Sequence, residues 1–382
     1  MLRSEQVFSL IKEEGIQFFA GVPDSLLKDF CAYVTDHTDE KDHVIAANEG
    51  SAVALAAGHF IATGRPALVY MQNSGIGNAV NPLMSLADPE VYSIPMLLMI
   101  GWRGEPGVKD EPQHVKQGRI MPALLDALEI PWYCLDANTE DPAGLIADAA
   151  ATMRQRMGPV AILVRKGTFE SYKLQKTVTS AFPLSREEAI SCIIDVLRDT
   201  DIVIATTGMA SRELYECRVR RGDTHSKDFL TVGSMGHAAS IAHGSAGSLP
   251  GRRVICLDGD GSVLMHMGTL AVIGQSELKN FVHIVINNGA HDSVGGQPTV
   301  AFGIDLPAIA TACGYREAHT AKTTSEIRAF LQSSSENGGP VLLEVRVNKG
   351  ARADLGRPKT SPMENRDALM KQLGVYVGPE EK

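Results

Sequence analysis

An aspartate in a glycine-rich turn, DGDGS at 258–262, is followed by an asparagine pair, Asn287 and Asn288, with 25 residues between Gly261 and Asn287. Asp260 comes just after the apolar run VICLD and Asn288 just after FVHIVIN. The interval is long enough for one helix and one strand, as a βαβ unit requires. Both residues should therefore emerge at the carboxyl ends of neighbouring parallel strands, where the connections open a crevice for ligand. A carboxylate, an amide oxygen and a backbone carbonyl just beyond them make a hard, oxygen-only, half-filled coordination sphere. Magnesium takes such ligands and completes its octahedron with phosphate oxygens and water. Gly259 and Gly261 allow close approach of the backbone to a phosphate, and a helix expected from near Ser262 adds N–H groups and a favourable dipole. Either half alone is most simply a tight turn or a loop start; spacing and strand context together favour the ligand reading.

The elements that must place these residues follow a regular order. Short apolar runs alternate with helical stretches through FFAGV, SLLKDFCAYV, HVIAA, EGSAVALAAGHFIATG, ALVYMQ, NAVNPLMSLA, IPMLLMIG and PVAILV. Such alternation predicts a parallel α/β sheet. A polar stretch without period, at 166–186, interrupts it, and from Arg186 the pattern restarts with EEAISCIIDVLRD, DIVIATT, FLTVG, HAASIAHGSAGSL, RRVICLD, a helix expected over about 263–279, FVHIVINN and VLLEVRV. The expectation is two α/β domains, each a parallel sheet flanked by helices: 1–170, a linker at 171–185, and 186–382 with a looped tail that enters a short helix. No sequence repeat relates the halves.

Composition narrows the partners. The chain has 382 residues, 44% hydrophobic and 21% charged, with a formal charge of -9. No basic run exceeds a doublet such as Arg220/Arg221 or Arg252/Arg253, so nucleic acid and anionic membrane are not expected partners. A small-molecule ligand is expected instead. The N-terminal MLRSEQVFSLIKEEG reads as an amphipathic helix rather than a signal peptide, and no apolar stretch is long enough to span a bilayer, which makes the expected location cytoplasmic. Six scattered cysteines without a CxxC suit reduced, mostly buried thiols. A Rossmann dehydrogenase would need GxGxxG after a first strand, and a P-loop ATPase GxxxxGK[ST]; neither is present.

GDGS followed after about 25 residues by NN resembles the thiamin diphosphate signature of the thiamin diphosphate-dependent decarboxylases and carboligases. The resemblance implies metal ligation by Asp260, Asn288 and the backbone carbonyl of Ala290, with Asp258 and Asn287 in support. By itself, Glu49 in IAANEGSAVALAAGHFIATG is a first-turn carboxylate favourable to the helix dipole. The resemblance makes it the buried acid that hydrogen-bonds the cofactor's aminopyrimidine ring. GSMGHAAS resembles the segment whose apolar residue, here Met235, supports the bent cofactor, a core methionine being the alternative. TTGMASREL resembles the turn near the diphosphate, with Gly208 allowing close approach. Cofactor contacts are thus expected from Glu49, Gly208, Met235, Gly259, Asp260, Gly261, Ser262 and Asn288. In these families the cofactor bridges domains of two chains, which implies a homodimer or higher homo-oligomer.

Larger members carry a third, middle domain, for which a linker of this length leaves no room. GVPDSLLKDF, QNSGIGNAVNPLMSL, GWRGEPGVKDEPQH, NNGAHDSVGGQPT and GRPKTSPMENR resemble the two-domain phosphonopyruvate decarboxylase family, and the sulfopyruvate decarboxylases share much of the pattern. The implied reaction is decarboxylation of 3-phosphonopyruvate, an anionic 2-oxo acid, to phosphonoacetaldehyde and carbon dioxide with thiamin diphosphate and Mg2+. Sulfopyruvate, and carboligation in place of protonation, are the alternatives within enzymes; a non-catalytic diphosphate-binding module is the alternative outside them. Asp24 and His114 resemble an acid/base pair, although Asp24 could equally cap a helix with Ser25 and His114 could be a solvated loop histidine. For the substrate anion the candidates are Ser25, Arg103, Lys109, His291, Arg352 and Arg357, since loop guanidinium groups suit bidentate anion contact.

Overall fold

A computed structural model describes residues 1–177 and 180–375. The described chain forms two compact units, one of Met1–Thr177 with Ser293–Gln297 and the other of the remaining described residues. The first contains strands β1 (Phe18–Gly21), β2 (His43–Ile45), β3 (Ala67–Gln72), β4 (Met96–Gly101), β5 (Trp132–Leu135) and β6 (Pro159–Val164). They make one sheet in the order β2-β1-β3-β4-β6-β5, every pair parallel. In the second unit β7 (Ile202–Ala205), β8 (Asp228–Leu230), β9 (Val254–Gly259), β10 (Phe281–Asn287), β11 (Glu317–Ala321) and β12 (Val341–Arg346) form an all-parallel sheet in the order β11-β12-β10-β9-β7-β8. Counted from its own first strand, each sheet has the same order, so the halves share a topology that their sequences conceal.

Strand position follows from composition. β4 (MLLMIG) and β6 (PVAILV) are buried along their whole length, as central strands covered by helices on both faces must be. In the second unit β10 (FVHIVIN) is buried throughout in the same way. β5 and β11, which the apolar-run reading did not anticipate, lie at sheet edges and are partly exposed. Half-exposed β11 (EAHTA) carries no continuous apolar run, and β5 (WYCL) is apolar but only four residues long. The helix expected over 263–279 is instead two short ones, Asp260–Met265 and Thr269–Gly274, because His266 leaves the helical region (φ -135°, ψ 48°) and Gly268 starts the second.

Each sheet has one place where the chain goes first to one side and then to the other: β1 pairs with both β2 and β3, and β7 with both β8 and β9. Ligands bind at the carboxyl ends of strands at such reversals. None of the described helices is long and apolar enough to cross a membrane, and none of the six cysteines is in a disulfide.

Candidate active site

In the first unit three acidic side chains gather near the carboxyl ends of the strands. Asn48 caps helix Glu49–Thr63 by accepting from the Ser51 N–H at 2.8 Å, and that places Glu49 in the first turn, only 5% exposed. Its Oε2 accepts from Asn78 Nδ2 at 2.7 Å. Gly75 closes the other side, where an added Cβ would lie 2.4 Å from Oε1. The carboxyl group is thus held by a capped helix, an amide donor and a glycine that leaves it room.

Asp24, just past β1, is fully buried. Its Oδ2 accepts from the Leu26 and Leu27 N–H groups at 3.0 and 3.3 Å, so it shapes the turn before helix Lys28–His37, whose N-cap position is Leu27. Oδ1 meets no hydrogen-bond partner among the described residues, and Gly101 at the end of β4 has no room for a Cβ, which would fall 2.0 Å from Oδ2. Burial raises the Asp24 pKa from 3.8 to about 6, against the opposing pull of the Leu26 N–H and Arg103. A raised folded-state pKa means that the native protein binds this proton more tightly than the unfolded chain. Stability from this group is therefore complete below pH 3.8 and is lost as pH rises to about 6. Asp24→Asn should remove that loss, giving a flatter profile of unfolding free energy over this window; an unchanged slope in denaturant titrations would contradict the assignment.

Beside Asp24, Arg103 donates from Nη1 to Ser25 Oγ at 2.6 Å and from Nε to Asp110 Oδ2 at 2.7 Å, with a second contact from Nη2 to Asp110 Oδ1. Burial would raise the Asp110 pKa, but Arg103 and the N–H groups of Glu111 and Gly104 hold it well below the carboxylate range. Buried Asn73 fixes the backbone here, donating to the Arg103 carbonyl at 2.7 Å. His114 is buried in the first turn of helix Pro112–Ala127, not solvated, whereas Lys109 is exposed.

In the second unit the ends of β7 and β9 are joined by hydroxyls. Ser262 Oγ accepts from Thr206 Oγ1 at 3.0 Å and from the Gly236 N–H at 3.1 Å. Gly208, in a conformation open to glycine (φ 93°), starts helix Met209–Arg221, whose first N–H groups lack intrahelical partners and suit an anion. Helix Asp260–Met265 spans only six residues, shorter than expected, so the longer helix is the stronger dipole at this reversal. Gly261 is enclosed: an added Cβ would lie 3.0 Å from His291 Cε1 and 3.2 Å from Met235 Cε. Met235 is half-buried against this turn rather than being a core residue. Burial pushes the His291 pKa down to about 4 and leaves the ring neutral.

Asp260 is buried, and Thr299 Oγ1 donates to its Oδ2 at 2.5 Å. Burial, with Asp292 adding to it, raises its pKa to about 6; a cation at this carboxylate would reverse the shift. Asn288 lies at the end of the adjacent strand, where Ile286 pairs with Gly259. Its Nδ2 donates to Asp292 Oδ2 at 2.9 Å, and its Oδ1 accepts from the Ala290 N–H at 3.1 Å. Asn287 is fully buried and donates to Glu344 Oε1 at 2.6 Å, while Asp258 Oδ1 accepts from the Gly259 N–H at 2.9 Å. Ala290 forms an isolated antiparallel bridge with Pro298. A desolvated carboxylate and an amide oxygen on adjacent strand ends, beside a glycine whose Cβ position is enclosed, fit a small hard cation with a phosphate next to it.

Two of the arginines expected at the substrate, Arg352 and Arg357, lie in the tail loop of this unit. Arg352 is ion-paired with Glu187 at 3.2 Å, with Asp354 at 3.0 Å and with Glu216, which ties the tail loop to two helices. Arg357 is exposed farther along the same loop. The sequence reading passed over Asn73, Asn78, Asp110, Arg186, Glu213, Thr299 and Glu344. All seven lie within stretches that carry the motifs or elements, but no spacing in the sequence marks Asn73 as a partner of Arg103, Asn78 of Glu49 or Arg186 of Asp292.

The chain matches the model of the thiamine pyrophosphate enzyme N-terminal TPP binding domain over residues 1–129 and that of the C-terminal TPP binding domain over residues 206–345. It is 36% identical over 365 residues to the phosphonopyruvate decarboxylase of Streptomyces viridochromogenes, covering 92% of this chain and 89% of that protein. With the phosphonopyruvate decarboxylase of Streptomyces hygroscopicus it shares 33% identity over 379 residues, 95% and 92% of the two chains. The sulfopyruvate decarboxylase of Methanosarcina acetivorans is 29% identical over 354 residues, 85% and 86% of the two chains.

Proposed function

Because the chain belongs to the phosphonopyruvate decarboxylase family of thiamine pyrophosphate enzymes, and so is a thiamine diphosphate-dependent carboxy-lyase, we propose that its substrate is 3-phosphonopyruvate, converted to phosphonoacetaldehyde and carbon dioxide with Mg2+ as the metal. The observation that carries this reading is the match, over about nine-tenths of both chains, to two phosphonopyruvate decarboxylases.

When bound, thiamine diphosphate supplies the electron sink for loss of carbon dioxide. Asp260, Asn288 and the Ala290 carbonyl are the proposed metal ligands, with Gly208, Gly259, Gly261 and Ser262 around the diphosphate. Glu49, clamped by Asn78 as described, would hydrogen-bond the aminopyrimidine ring and exchange a proton with it, and Met235 would support the cofactor. Asp24, whose pKa near 6 keeps a proton available at mildly acidic pH, and buried His114 are the proposed proton donors to the product carbon. Arg103 and Ser25 are the proposed anion contacts, since a guanidinium already oriented by Asp110 loses little freedom on binding a phosphonate. His291 lies beside Gly261 and is a further proposed substrate contact. Lys109 and Arg357 are exposed and Arg352 is committed to carboxylates, so they are weaker candidates.

A homodimer or higher homo-oligomer is part of the proposal. Helix Glu49–Thr63 leaves Leu55 and Ile61 exposed, the latter by 73%, and Met84 is 54% exposed; these apolar groups suit burial against a second copy of the chain.

The direct test is aldehyde release from phosphonopyruvate, sulfopyruvate and pyruvate, with cofactor and Mg2+ present and each omitted. Preference for phosphonopyruvate, lost without either addition, is the expected result; preference for sulfopyruvate would overturn the substrate assignment. Arg103→Gln should lower kcat/KM for phosphonopyruvate by roughly 10- to 150-fold, the equivalent of about 1.5–3 kcal/mol for a charged hydrogen bond. Its effect on pyruvate, which lacks the second anion, should be much smaller. Equal losses on both substrates would remove Arg103 from the anion site.

A further inference from the structure

Asn288 presents a problem that Asp260 does not. A carboxylate offers oxygen whichever way it turns, but an amide has one oxygen and two N–H donors, and only the oxygen can bind a hard cation. We propose that Asp292 is a positioning residue that sets the Asn288 amide with Oδ1 toward the cation, an inference that rests on the metal assignment made above.

Asp292 Oδ2 accepts three hydrogen bonds: from Asn288 Nδ2 at 2.9 Å, from Arg186 Nη1 at 3.0 Å and from the Gly350 N–H at 2.8 Å. An ionised carboxylate only accepts, so Nδ2 must face it. The flipped amide would set Oδ1 against a carboxylate and lose a charge-assisted bond. Asp292 cannot turn away easily, because Arg186 is itself held by Glu213 through two bonds of 2.7 and 2.9 Å. Arg186 and Glu213 are 5% and 1% exposed, and Arg186 Nη2 also donates to the Gly350 carbonyl at 3.3 Å. A residue at the start of the second unit thus fixes, through Asp292, the orientation of a side chain about a hundred positions later. Asn287 has a separate anchor in Glu344, so the two neighbouring amides are oriented independently.

The test measures Mg2+ affinity at saturating thiamine diphosphate by calorimetry, with the melting temperature of the metal-free protein followed in parallel. Asp292→Asn can accept or donate at the same place and therefore no longer distinguishes the two faces of the Asn288 amide. It should raise the Mg2+ Kd by about 10- to 100-fold, the usual effect of losing an outer partner of a ligand. Adding Asn288→Asp to that variant should recover most of the affinity, because a carboxylate needs no orienting. Arg186→Lys, which keeps the charge but not the paired geometry, should give a smaller rise in Kd.

A wild-type Kd in Asp292→Asn would overturn the inference while leaving the metal assignment intact. So would a weakened Kd that Asn288→Asp fails to recover alongside a lowered melting temperature, since that pattern marks a structural role alone. If the wild-type protein itself binds thiamine diphosphate without any requirement for a divalent cation, the metal assignment fails, and the inference with it.

Discussion

Glu49→Gln should retain thiamine diphosphate and Mg2+ yet lose about 10²–10⁴-fold in kcat, the range over which a positioned acid/base group contributes. The substitution keeps the volume of the side chain, so the glycine wall at Gly75 still accommodates it. Its carbonyl oxygen can still accept from Asn78 in place of Oε2. What disappears is a buried carboxyl group able to exchange a proton, and nothing else near it is proposed to replace it. Measuring kcat together with cofactor affinity separates this from a binding defect: the two quantities should part company. A variant that turns over at the wild-type rate would refute the role assigned to Glu49.

Asp260→Asn should have the opposite signature. The amide keeps an acceptor for Thr299, so the turn should survive, but the proposed metal site loses its one charged ligand. Mg2+ affinity is expected to fall by at least about 100-fold, beyond what an outer partner costs. In the metal-free protein Asp260 is a desolvated carboxylate with a raised pKa, so replacing it should leave the melting temperature unchanged or higher. Wild-type protein at a ligand concentration of about 100 times Kd gains roughly 2.7 kcal/mol of stability; the variant at the same concentrations should gain little. A variant that Mg2+ and thiamine diphosphate stabilise as strongly as the wild type would exclude Asp260 as a ligand.

The α/β class and the placing of Asp260 and Asn288 on adjacent strands could be read from the chain directly. Both depend on local features: continuous apolar runs mark strands buried on two faces, and an interval of one helix and one strand admits a single simple connection. Edge strand β11 is not legible in this way because its half-exposed EAHTA carries no such run, and β5 (WYCL) is apolar but short. Glu49 in a first turn was also legible, because its cap, Asn48, is its immediate neighbour.

Side-chain partnership depends on the folded chain. Asn78 reaches Glu49 across 29 positions, Ser25 reaches Arg103 across 78, and Arg186 reaches Asp292 across 106. Arg103 and Arg352 look alike in sequence, each an arginine in a loop with glycines nearby. The fold gives Arg103 a hydroxyl and a single carboxylate beside a buried acid, and surrounds Arg352 with Glu187, Glu216 and Asp354. Parallel sheets bring residues together through crossovers that are long in sequence, so which polar groups meet at a strand end is decided by strand order. Periodicity and spacing determined the elements and one βαβ pair; the orientation of the amides, the state of each arginine and the desolvation of each carboxylate were decided only by the packing within each folded unit.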